Sequence, residues 1–459
     1  MKQSSNSRWL TIGTTVLWLL LFHVSPTTPA APVSDLATMA HLINQLHIQH
    51  PPLAEIPTDS IQHLKAFLER LDPYSSYLNP QEFAHQAHGA NAEQMGIGGL
   101  VTRTQEDGLI LVPFQNGPAY QAGIHYPVKL ISVEGQNASE LDVVSIAALI
   151  KTRARLQVNA RNLITGQPIQ AKISIGAFQI PPVEIIEING QKIVRLHVFP
   201  GNRALFLLSQ YLKQIAIFDK PLIIDLRYAI GGNLFEALDS VSLILPQRLP
   251  IATTQSSDGL SVTFRSRDDL RVAPKPVYLL IGPNTASAAE VFARALHHYG
   301  YAVLVGKPSF GKCLTQQFTE LPAKDGLKLT VGRILDPAGQ YCAGQGIAPD
   351  IAHTGNIHDT TTLLRLIDQH NQTHRLVCQA KTYHDQEALE QGITKLGWNQ
   401  KGSKYPPISL VTSKGTWQLC LGPPMSILSA QSLQTTEANR LNEKLLLVSL
   451  FPVLSPIEE

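Results

Sequence analysis

The chain has 459 residues, 44% hydrophobic and 16% charged, and its 37 Lys plus Arg against 35 Asp plus Glu leave a formal charge of +2. At roughly 150 residues per domain this is enough for two to four folded domains. The composition excludes a disordered chain, and the near-neutral charge excludes a basic field for nucleic acid or acidic lipid.

Lys2 and Arg8 precede an uncharged run from Trp9 to Val24, and small residues follow in TTPAAP. This is the pattern of a secretory signal peptide, with cleavage expected after Ala30. The run falls short of the ~20 apolar residues that span a bilayer, and an uncleaved anchor is the alternative; either way the body is exported, periplasmic or extracellular. Export makes Cys313, Cys342, Cys378 and Cys420 candidates for disulfides. Four cysteines allow three pairings, of which neighbouring pairs are the simplest. With no CxxC and no Cys/His cluster, no metal and no cofactor is expected, and His47 and His50 are expected on a solvated face.

From residue 31 to 95 the apolar spacing of LATMAHLINQLHI and DSIQHLKAFLERL predicts helices, ended by the turn LDPYSSYLNP, where Asn79-Pro80 can start another helical turn. Residues 96–176 show short apolar strands with one late helix, and Pro181-Pro182 places a linker near 177–184. From 185 to 355 the strands KIVRLHVF, PLIIDLRY, PVYLLIG and YAVLVG alternate with helical stretches, which implies a parallel sheet. The tail, 356–459, has no periodicity that names a fold.

In an open parallel sheet reactive groups gather at the carboxyl ends of the strands. Three loops start there: Tyr228–Gly232, Pro283–Ala289 and Lys307–Lys312. Ser287 stands at a strand-to-helix turn, where a hydroxyl is exposed beside unpaired N–H groups. Gly231 or Gly232 would supply one N–H and Ala288 another to an oxyanion. Lys312, with Gly311 beside it, would serve as base once desolvation lowers its pKa, a Ser–Lys variant of triad chemistry.

The run NTASAAEV at 284–291 resembles the nucleophile motif of the carboxyl-terminal processing (tail-specific) peptidases, and GKCLTQ at 311–316 resembles their lysine motif, 25 residues on. DLRYAIGG at 225–232, LDPYSSYL at 71–78 and GQGIAPDI at 344–351 resemble three further motifs in family order. The likeness covers roughly residues 34–352. It implies a multidomain α/β chain: an α/β peptidase core of parallel-strand crossover units, an inserted β-rich PDZ domain at 96–176 and an N-terminal helical region. It also implies Ser287 as nucleophile, Lys312 as general base and Gln316 as the group orienting the lysine amine. Gly96, Ile97, Gly98 and Gly99 would form the loop that receives a peptide carboxylate by β-augmentation. The expected reaction is endopeptidase cleavage of captured C-terminal tails through an acyl-enzyme. Rival readings are a non-catalytic peptide- or apolar-ligand-binding protein, and an adaptor in which the PDZ domain carries the activity. The sequence departs from the family in lacking Asn and Pro before Gly231-Gly232. It also carries His298 where an acid is common, which makes His298 the alternative base. It names no adaptor or activating partner and fixes no oligomeric state.

Overall fold

The computed structural model describes residues 34–88, 94–215, 221–245, 248–267, 269–270, 277–341, 344–384, 386–396, 407–411, 417–441 and 444–448. The expected leader and Cys342 lie outside them. The chain divides into two compact units, one built on Ala54–Gln179 with Phe318–Lys328 and the stretch up to Ala40, the other on His41–Leu53, Ile180–Gln317 and the chain from Leu329 onward.

In the first unit the helix Ile61–Leu71 starts at Ser60, whose hydroxyl accepts from the His63 N–H. It stops at Asp72, whose carboxylate accepts from the N–H groups of Tyr74 and Ser75 and from the Ser75 hydroxyl. That acidic turn shapes the LDPYSS segment. Asn79 then caps the helix Pro80–His88, accepting from the Glu82 N–H while Glu82 accepts from Asn79. The strand-rich region orders Gly99–Thr104, Gly108–Pro113, Val128–Val133, Arg155–Asn162 and Pro168–Ser174 in one antiparallel sheet. Its core is closed by the helix Val143–Thr152. The ends of this region pair with each other, Gln94–Gly96 against Gly176–Phe178.

The second unit holds a six-stranded sheet of β1 (Val183–Ile188), β2 (Gln191–Leu196), β3 (Ile223–Asp225), β4 (Val277–Ile281), β5 (Ala302–Gly306) and β6 (Ile351–Ala352) in that order. The strands from β2 to β6 are parallel. Helices α1 (Arg203–Ile215), α2 (Leu234–Ser242) and α3 (Ala288–His298) connect or follow them. Every residue of β3, β4 and β5 is buried, as a parallel sheet covered on both faces requires. Strand β1 is an antiparallel edge joined to β2 through Asn189 and Gly190, both at positive φ (51° and 71°), the conformation a tight hairpin favours.

After α4 (Thr360–Thr373) the tail, which carries no readable period, folds as β7 (His374–Tyr383), α5 (Gln386–Leu396), β8 (Pro407–Val411), β9 (Trp417–Ser426), α6 (Ile427–Leu441) and β10 (Leu445–Val448). The sheet order is β8-β9-β7-β10, all antiparallel. This is the βαββαβ arrangement of ferredoxin-like modules. A disulfide joins Cys378 on β7 to Cys420 on β9, a neighbouring pair, and Cys313 is disulfide-bonded as well. His47 differs from expectation: it is fully buried, and its Nδ1 accepts from the Gln49 N–H, while His50 is exposed. No group of three His, Cys, Asp or Glu able to hold a metal occurs among the described residues.

Candidate active site

The three loops expected from the sequence leave the carboxyl ends of β3, β4 and β5 and are cross-tied by their backbones. The Ala286 N–H donates to the Ala229 carbonyl at 2.9 Å and the Phe310 N–H to the Thr285 carbonyl at 2.9 Å. The Thr285 hydroxyl, fully buried, donates to the Leu226 carbonyl and accepts from the Gly282 N–H.

Ser287 takes φ 57° and ψ −123° at the start of α3. A side-chain-bearing residue adopts that region only when its surroundings impose it, and such strain concentrates at functional turns. Ser287 and Glu290 take the N-cap and N3 positions of a capping box at this helix start. The Glu290 carboxylate accepts from the Ser287 N–H at 3.0 Å.

Glu290 was missed as a functional residue by sequence reasoning, although Ser287-x-x-Glu290 is a helix-start signature. Its side chain is fully buried and accepts four hydrogen bonds: besides Ser287, from the Ser309 hydroxyl (2.6 Å) and from the N–H groups of Gly311 and Lys312 (2.7 Å each). One oxygen, Oε2, serves both Ser287 and Lys312. A single carboxylate therefore fixes the backbones of the expected nucleophile and the expected base relative to each other. The Lys312 Nζ donates to Gln316 Oε1 at 2.7 Å, the pairing the resemblance implied.

The GQGI segment braces the lysine loop from behind. Ile347 N–H donates to the Ser309 hydroxyl, Ser309 N–H to the Ile347 carbonyl and Gly344 N–H to the Gly311 carbonyl. Gly346, at φ 63°, lies so close that a Cβ there would run into the Ser309 carbonyl.

Gly231 stands at φ 97°, and a Cβ on it would come within 2.8 Å of the Ser287 Cβ and 3.0 Å of the Ala288 nitrogen. Gly232, at φ 122°, is pressed on Phe199, whose carbonyl accepts from Asn233 at the start of α2. Among the described residues none accepts from the N–H groups of Gly231, Gly232 or Ala288. The structure thus brings Gly231 and Ala288 together beside Ser287.

His298 ends α3, eleven residues after Ser287 and about 15 Å along the axis from the helix start at Ala288. As the alternative base it is ruled out by that separation. Behind the first loop, burial pushes the Asp225 carboxyl up, but the guanidiniums of Arg227 and Arg195 outweigh it and hold the pKa below the ordinary carboxylate value.

Gly96, Ile97, Gly98 and Gly99 form a bend between strands in the first unit. Gly98, at φ 64°, packs on Pro118, and the Ile97 and Gly98 carbonyls accept from Ala119 and Phe114.

Residues 194–353 match the model of peptidase family S41. Among curated proteins the chain is 28% identical over 324 residues to carboxyl-terminal-processing peptidase 3 of Arabidopsis thaliana chloroplasts, covering 65% of this chain and 61% of that protein. It is 28% identical over 297 residues to carboxy-terminal processing protease CtpA of Bacillus subtilis, covering 63% and 62%. A probable CtpA-like serine protease of Staphylococcus aureus is 26% identical over 286 residues, 62% of this chain and 57% of that one. The chain thus spans about three-fifths of the length of these relatives. Of the solved structures, the photosystem II D1 C-terminal processing protease superposes with TM-score 0.52 at 20% identity, covering 70% of this chain and 92% of that one. A putative S41 protease from Bacteroides fragilis gives 0.52 at 16% identity, covering 76% and 100%. These two show the fold, and residues 194–353 match the peptidase family S41 model in a chain that is similar to carboxyl-terminal processing peptidases over about three-fifths of their length.

Proposed function

We propose that the protein is a serine endopeptidase working through Ser287 and Lys312. The observation that carries this reading is the buried Glu290 carboxylate shared by the backbones of those two residues, on a strained turn whose neighbouring N–H groups, of Gly231 and Ala288, have no acceptor among the described residues. In the first step the Ser287 Oγ attacks a peptide carbonyl and its proton passes to the neutral Lys312 amine. The carbonyl oxygen becomes an oxyanion facing the N–H groups of Gly231 and Ala288. Collapse of the tetrahedral species breaks the C–N bond, and Lys312 returns the proton to the leaving amine. Water, deprotonated by the same lysine, then releases the acyl group and restores the serine. The base must be neutral to act, and Gln316 accepts from one N–H of that amine while leaving its lone pair for the serine proton. Incubating the purified protein with an unstructured polypeptide and reading fragments by mass spectrometry tests the reading. Wild type should cleave it. Ser287→Ala should lose several orders of magnitude in turnover while remaining folded, and equal cleavage by the mutant would remove Ser287 from the mechanism.

Capture of substrate tails is assigned to residues 96–176. Strand Gly99–Thr104 stands at one end of its sheet, paired with Gly108–Pro113, and the helix Val143–Thr152 packs close to it. An extended peptide added to that edge would bring its carboxylate to Gly96–Gly99. Amidating the C-terminus of a peptide ligand should weaken binding about tenfold, and unchanged affinity would exclude carboxylate capture.

A further inference from the structure

Residues 357–360 lie just past the matched segment, at the start of α4, and they reach the first loop of the candidate site and the strand ends that lead into the other two. The Ile357 side chain sits where a Cβ on Gly282 or Gly306, the last positions before the second and third loops, would meet it at 3.5 and 3.0 Å. Arg227, the residue just before the first loop, donates to the Ile357 carbonyl at 2.6 Å and to the Thr360 hydroxyl at 2.7 Å. The next residue, Tyr228, bonds through its hydroxyl to His358 Nδ1 at 2.5 Å, and the two rings stack 12° from parallel. Both side chains are 3% exposed.

Tyr228 opens the turn that ends in Gly231 and Gly232. Two consecutive glycines leave that turn conformationally loose, while N–H groups that are to receive an oxyanion must be held in place before charge develops. Backbone bonds from Ile230 to His197 and from Phe199 to Gly231 hold one side of it. The other side is anchored by a buried tyrosine whose hydroxyl reaches a residue outside the matched segment. Separating two buried polar groups of this kind is costly, so the clamp is stiff.

We infer that His358 is a positioning residue for the oxyanion turn, acting through Tyr228, so that the start of the C-terminal extension completes the site. The inference rests on the peptidase reading. A group that steadies the oxyanion donors acts on the transition state more than on bound substrate, so its loss lowers kcat and leaves KM in place. Tyr228→Phe, which keeps the ring and removes the hydroxyl, should reduce kcat on the order of tenfold at unchanged KM. His358→Leu should do the same. His358→Asn, whose amide offers an acceptor or a donor in place of Nδ1, should recover most of kcat, a rescue that general destabilisation would not give.

The measurement is steady-state cleavage of one unstructured peptide by the full-length proteins, with melting temperatures alongside. Wild-type kcat in Tyr228→Phe overturns the clamp, as does a rise in KM alone or a failure of His358→Asn to exceed His358→Leu. An inert wild type overturns the peptidase reading and the clamp with it. An active wild type with an unaffected Tyr228→Phe overturns the clamp alone.

Discussion

The core sheet β2–β6 and the C-terminal sheet β7–β10 belong to one compact unit, yet they are held by different means. At the ends of β3, β4 and β5 the loops are fixed by buried polar bonds, many of them converging on single groups: Glu290 takes four, Thr285 joins two loops, and Arg227 ties Asp225 to Ile357 and Thr360. The C-terminal module relies on an apolar cluster of Val377, Leu396, Leu419 and Ala430 with the Cys378–Cys420 disulfide. Apolar packing is nondirectional and tolerates small shifts. A reacting serine and its base do not, because misplacement by about 1 Å costs on the order of a hundredfold in rate. Where hydrogen bonds converge on one buried carboxylate, the geometry has no alternative of similar energy.

The largest way to break this contrast, short of removing Ser287, is Glu290→Ala. It leaves the N–H groups of Ser287, Gly311 and Lys312 and the Ser309 hydroxyl without their acceptor, so kcat should fall on the order of a hundredfold or more, with stability lowered by about 3 kcal/mol. Wild-type kcat in a folded Glu290→Ala protein would show that the carboxylate positions nothing. A smaller effect lies where α4 passes into β7. There the His370 ring stacks on His374 at 3.8 Å and its Nδ1 meets the Tyr278 hydroxyl. Burial and the neighbouring His374 lower the His370 pKa to about 4, against a weaker upward pull from Asp350. The folded state therefore keeps His370 neutral down to about pH 4, while the unfolded chain takes up its proton near the ordinary histidine value of ~6.5. Its contribution to stability is complete above that value and is lost as pH falls from there to about 4. Melting curves across this window should fall less steeply for His370→Asn, and identical slopes would place the acid sensitivity elsewhere.

The same contrast explains what could be read from the sequence. Short unbroken apolar runs such as VYLLI and AVLVG, bounded by turn residues, read as strands buried on both faces, so the core sheet was legible, and so were the loops on which Ser287, Gly231 and Lys312 stand. Asn189-Gly190 and Ser287-x-x-Glu290 were present as local signals for a hairpin and a capping box, and were not drawn out. The C-terminal sheet was hidden for physical reasons. Strand β9 contains Gly422-Pro423-Pro424, which reads as a breaker, and its pairing with β7 is interrupted by register shifts. Neither His47 nor His358 could be placed, because a lone histidine carries no period: burial of one and the tyrosine contact of the other arise only from tertiary packing.

The most direct test of the central claim, a serine activated by Lys312, is labelling of the full-length protein with a fluorophosphonate, followed by peptide mapping. The account predicts one adduct, on Ser287, lost in Lys312→Arg because guanidinium stays protonated and cannot take the serine proton. An unmodified Ser287 in protein that still cleaves peptides, or labelling of Lys312→Arg at the wild-type rate, would contradict it.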